Sequence, residues 1–148
     1  MRSATKKDID IFMEKAILDD SIYPYLSTDK HMGSMEPLEG DWNGLLLTND
    51  TNTYICKISF RRADELGMSI SLWANTAFSA GKAVSVIKEV IKRYKPRYIE
   101  SVVHASNIKS IKLNTKLLGE PWGREPGGAW NSKLGEYEEL VYFRKLLK

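Results

Sequence analysis

An alternating stretch, with Met68, Ile70 and Leu72 set against Ser69, Ser71 and Trp73, runs through Ala74, Asn75 and Thr76 into an amphipathic segment with Gly81 in its first turns. That pattern predicts a strand feeding a helix N-terminus. Unbonded N–H groups at a helix start attract phosphate, a glycine lets a ligand approach the backbone, and Lys82 adds a cation beside them. The competing role is structural: glycine at such a junction also lets the helix pack closely on its strand. His104 closes a second alternating stretch, where an imidazole can act as a general base or sit as a core histidine held by a neighbour. Glu65 and Glu100 are carboxylate candidates for the same work. Tyr137 and Tyr142 are candidate acids, although tyrosine at alternating positions ordinarily serves sheet packing. Trp122 and Trp130, in a glycine-rich stretch, suit either a binding surface or a cover for the open end of a sheet.

Other chemistry is disfavoured. The single cysteine, Cys56, alternates with Tyr54, Ile58 and Phe60 and reads as a small buried thiol, so no internal disulfide is expected. Two distant histidines and one cysteine match no metal-ligand spacing, and no metal site is predicted. The formal charge of +3 is spread over Arg61 and Arg62, Lys88 to Arg97, and Lys109 to Lys116, which argues against a nucleic-acid partner. No apolar run approaches the ~20 residues of a membrane span, and MRSATKKDID is too polar for a secretory leader, so a cytoplasmic protein without a membrane partner is expected.

The elements that must position these residues follow from periodicity. One domain is expected from 148 residues. Thr5 to Asp8 has capping-box character, and Ile9, Phe12, Met13, Ala16 and Ile17 recur on one helical face ending near Asp19 and Asp20. Ser21 to Asp29 suits a short helix or a structured loop, and Lys30 to Asp41 a loop. Trp42 to Thr48 and Thr53 to Arg61 read as a hairpin about the turn Asn49 to Asn52. A connector from Ala63 to Gly67 precedes the strand Met68 to Ala74. The helix from about Ser79 to Lys95 is stopped by Pro96. A strand over Arg97 to Ala105 should pair parallel to its predecessor. Ser106 or Asn107 caps a helix ending at Gly119, Pro121 to Lys133 is a long loop or an irregular strand hairpin, and Glu136 to Lys145 is the final strand.

This order of helix, hairpin, strand, helix, strand, helix and strand resembles the GNAT superfamily of N-acetyltransferases. Three motifs carry the resemblance. Arg2 to Asp8 is similar to the family's first strand and helix start, Phe78 to Ala83 to its pyrophosphate loop, and Asn107 to Gly119 to its late asparagine-capped helix. The resemblance implies an α+β (mixed α/β) fold: a central, mostly antiparallel sheet with one parallel, splayed strand pair and helices on both faces. It implies acetyl-CoA as cofactor, held by Trp73, Asn75, Ser79, Ala80, Gly81, Lys82, Ala83 and Asn107. It further implies acetyl transfer to a primary-amine acceptor by direct attack on the thioester, with His104 or Glu65 as base. The chain departs from the family pattern at Phe78, where Gln or Arg is usual, and at Asn114, where a tyrosine often serves as general acid. A narrower likeness, carried by Asp20 to Asp29 and the Gly81-Lys82-Ala83 loop, is to small phage-encoded GNAT-like proteins. It implies an alternative function: a catalytically inactive scaffold that binds phage or host proteins during head assembly, located in the host cytoplasm.

Overall fold

The computed structural model describes residues 1–25, 44–61, 64–74 and 80–147. Its strands are β1 (Arg2–Ser3), β2 (Gly44–Thr48), β3 (Tyr54–Arg61), β4 (Asp64–Ala74), β5 (Tyr98–His104), β6 (Gly123–Asn131) and β7 (Glu136–Leu146). Among the described residues its helices are α1 (Lys6–Ala16), α2 (Ala80–Tyr94) and α3 (Ile108–Leu118), with a 3-10 turn at Tyr23–Tyr25. The strands form one sheet in the order β1-β2-β3-β4-β5-β7-β6, antiparallel throughout except for the β4–β5 pair.

Strand alternation decides which helix each residue meets. Leu47, Cys56, Ile58, Met68, Ile70 and Ile99 gather with Ala83 and Val90 of α2, and the half-buried Leu113 and Leu118 of α3 join them. Leu46, Ile55 and Trp73 point the other way, onto Ile9, Phe12, Met13 and Ala16 of α1. Helices therefore cover both faces. Val103, Val141 and Phe143 extend the α2 side beneath Ile111 and Leu118 of α3. Cys56 is fully buried, and burial pushes its thiol up to about 12, consistent with an inert core position.

The helix ends follow from their residues. Thr5 Oγ1 accepts from Asp8 N while Asp8 accepts from Thr5 N, the reciprocal capping box expected of this sequence. Arg2 also grips Asp8 with two hydrogen bonds of 2.7 and 2.9 Å, fastening β1 to α1. The Arg2 guanidinium, and then the Thr5 N–H, hold the Asp8 carboxyl well below the usual carboxylate range. Helix α2 ends at Tyr94 because Lys95 turns to φ +49 and Pro96 follows. Asn107 caps α3 through Oδ1, and Gly119 ends it at φ +89.

One stretch differs from the sequence reading, and a second is decided between its two alternatives. The connector expected over Ala63 to Gly67 is largely strand: Arg61 pairs with Asp64 past a bulge at Phe60, so β4 starts at Asp64. Of the two readings left open for Pro121 to Lys133, the irregular hairpin is observed. Its β6 pairing breaks between Glu125 and Ala129, around Pro126 and Gly127, and Gly135 N closes the turn on Asn131 O at 2.8 Å. The loop expected over Lys30 to Asp41 and the strand start at Trp42 lie outside the described residues.

Candidate active site at the open end of the β4–β5 pair

Among the described residues the ladder between the parallel strands holds three pairs, Gly67 with Tyr98, Met68 with Ile99 and Ser69 with Glu100. Beyond Ser69 and Glu100 both strands continue, to Ala74 and His104, outside that ladder. The sheet is thus split by a V. On the face toward α1 the register arranges side chains in rows. At the apex a polar row crosses four strands, Ser59, Ser69, Glu100 and Arg144. The next row carries Lys57 and Ser71 on one arm and Val102, Tyr142 and Gly123 on the other. At the mouth stand Ile55 and Trp73 opposite His104, Leu140 and Glu125.

Tyr25, in the 3-10 turn, spans this mouth. Its carbonyl accepts from Trp73 Nε1 at 3.1 Å, its ring meets the His104 imidazole edge-on at 5.3 Å, and its hydroxyl lies 3.3 Å from Ser106 Oγ. Behind His104, the Glu138 carboxylate accepts from Ser106 N at 2.7 Å, from Ser106 Oγ at 2.9 Å and from the Asn131 amide. Asn131 is fixed in turn by the turn after β6, where its Oδ1 accepts from Lys133 N and Leu134 N. Burial pushes the Glu138 carboxyl up, but the Ser106 N–H, the Asn131 amide, the Ser106 hydroxyl and the nearby imidazole together hold it below its usual range. His104 is 5% exposed, and its Nδ1 lies 3.7 Å from Glu138 Oε2. A carboxylate on that side favours a proton on Nδ1.

Of the residues expected to act, His104 and Trp73 meet at the mouth, on opposite arms of the V. Asn107 begins α3 three residues beyond His104; its Oδ1 is used in capping, so a ligand contact falls to its amide nitrogen. Helix α2 starts at Ala80, with Gly81 and Lys82 exposed in its first turn and Ala83 turned into the core. Asn75, Phe78 and Ser79 lie outside the described residues. Glu65 is not brought to this site: it stands eight residues before Trp73, about 26 Å back along β4, because strand residues advance ~3.3 Å each.

The acid candidates separate in the same way. Asn114 donates to Ser110 O at 2.9 Å within its own helix. Tyr137 packs edge-on to Trp130 at 5.2 Å, on the face opposite Glu138. Tyr142 shares the face of His104 and donates to Glu125, which, with burial, raises its phenol above the usual range. Tyr25, Ser106, Asn131 and Glu138 were not singled out by sequence reasoning as site residues. The alternation of β7 puts Glu138 in line with Leu140 and Tyr142, but nothing in the sequence pairs it with a residue more than thirty positions earlier. Among the described residues no group of three His, Cys, Asp or Glu side chains converges to hold a metal, and no helix is long and apolar enough to cross a membrane.

No protein-family model matches the chain, and no curated protein matches it. Solved structures do. An N-acetyltransferase from Staphylococcus aureus Mu50 superposes with a TM-score of 0.69 at 18% identity, covering 99% of this chain and 97% of that one. An acetyltransferase of the GNAT family from Streptococcus pneumoniae gives 0.69 at 17%, covering 99% and 98%. Mycobacterium smegmatis RimJ, solved in complex with CoA-disulfide, gives 0.70 at 13%, covering 99% and 80%. The chain has the GNAT fold.

Proposed function

We propose that this chain is an acyl-CoA-dependent N-acyltransferase, moving an acetyl group from acetyl-CoA to a primary amine at the mouth of the V. The observation that carries the reading is the pairing of His104 with the ionised Glu138 at the end of a strand that has parted from its parallel neighbour. A GNAT fold places the thioester arm in such a split, and RimJ was solved with a CoA derivative. Ser79, Ala80, Gly81, Lys82 and Ala83 are the residues proposed for the diphosphate, through helix-start N–H groups and one cation. Trp73, Asn75 and Asn107 are those proposed for the arm.

In this scheme His104 takes a proton from the acceptor's ammonium, and Glu138 stabilises the imidazolium that forms. The amine nitrogen then bonds to the thioester carbon, the C–S bond breaks with its electron pair leaving on sulfur, and the nitrogen's second proton passes to water to leave the neutral amide. Asn114 supplies no proton to it. None is required: a thiol with a pKa of about 8.5 is a competent leaving group as thiolate. A second reading is a GNAT-fold protein without catalysis, binding phage or host proteins in head assembly. The engagement of Asn114 with its own helix favours it.

Calorimetric titration with acetyl-CoA separates the two. Binding is expected in the wild type and its loss in Gly81→Glu, which puts a carboxylate against the diphosphate at an exposed position. No heat at millimolar acetyl-CoA overturns the acyltransferase reading.

A further inference from the structure

On the α1 face, at the apex of the V, the described residues enclose an open cleft of about 400 Å³ that the scheme above does not use. Val102, Trp122 and Tyr142 give it apolar and aromatic walls, and Ser59, Ser69 and Glu100 close its far end. Trp122 is 62% exposed and Val102 43%, a large apolar surface at the rim, with the indole stacked obliquely on Tyr142 at 5.7 Å. Glu100, Val102 and His104 occupy alternate positions of β5, so the cleft lies on the same face of the sheet as the imidazole.

The far end has its charge already balanced. Arg144 Nε lies 3.4 Å from Glu100 Oε1, and the same guanidinium sits 4.1 Å over the Tyr98 ring, which fixes its position. A carboxylate with its own counter-ion accepts from a neutral O–H readily and does not call for a second cation. From Glu100 to His104 is ~13 Å along the strand, the reach of a single-ring amine with a hydrogen bond of ~2.8 Å at each end.

We infer that the acceptor is a small amine with a flat apolar body and a neutral hydrogen-bond donor at its far end. Its ring lies between Val102, Trp122 and Tyr142, its donor meets Glu100, Ser59 and Ser69, and its amine reaches His104. The word acceptor rests on the acyltransferase reading; the cleft's preference does not.

Tyramine, phenethylamine and putrescine, titrated without acetyl-CoA and followed by two-dimensional NMR, test it. Tyramine is expected to bind about tenfold more tightly than phenethylamine, which lacks the donor, and putrescine more weakly than either. Glu100→Gln should remove the preference for tyramine. Val102→Phe, which fills the cleft from an exposed position, should abolish binding of both aromatic amines with the spectrum otherwise intact. Tightest binding by putrescine, no shift with tyramine, or undiminished tyramine binding in both variants overturns the inference. A failure of acetyl-CoA to bind would instead strike at the acyltransferase reading alone.

Discussion

At Glu138 burial and hydrogen bonding oppose each other, and the donors win. The group's folded pKa lies below the ordinary 4.5, so its contribution to stability is present above that value and is lost as pH falls through the lower, folded one. Thermal unfolding of the wild type and Glu138→Gln should therefore differ most near neutrality and converge in acid. A structural anchor would do no more than that. A residue that positions the base does something further: removing its charge destabilises the imidazolium, so the acid limb of the kcat/KM profile should move to lower pH in Glu138→Gln. An unmoved limb would assign Glu138 to structure alone. His104 was legible as a strand-end imidazole because the alternation of Arg97 to Ala105 is regular. Its partners were not, since Asn131 and Glu138 reach it only through the register of β5, β7 and β6, and Tyr25 only through a turn that crosses from another part of the chain.

The V depends on an apex that holds while the arms part, and Gly67 is its closest-packed point. A Cβ built there would sit 2.2 Å from the Tyr98 ring and hydroxyl, so the tyrosine lies across β4 where any side chain would be. Tyr98 is 3% exposed and capped by Arg144. Gly67→Ala is expected to destabilise the fold by about 1–3 kcal/mol through forced repacking, read as a lower midpoint in chemical denaturation; a midpoint at the wild-type value would mean Tyr98 moves freely and the apex is not locked. At this scale the sequence was informative about most elements, because capping residues, prolines and alternation act locally. It misread Asp64 to Gly67 as a connector, where a bulge extends β4, and was undecided on Pro121 to Lys133, where glycine and proline interrupt a strand that only β7 completes.

For the whole molecule, identities of 13–18% to the matched acetyltransferases go with superposition of nearly the entire chain. What the match shows is a shared fold, which is why it was legible from periodicity and three short motifs. The proposed activity would depend on a few side chains and was less legible, because Asn114 stands where the resemblance implies an acid and the proposed His104–Glu138 pair is assembled from two strands far apart in the chain. The most direct test is release of free thiol from acetyl-CoA in the presence of a primary amine, comparing the wild type with His104→Gln. Turnover by the wild type, reduced about a hundredfold or more in the variant while acetyl-CoA affinity is kept, is the predicted result. A wild type that binds acetyl-CoA without turnover across an amine panel, or a variant as fast as the wild type, would contradict the account.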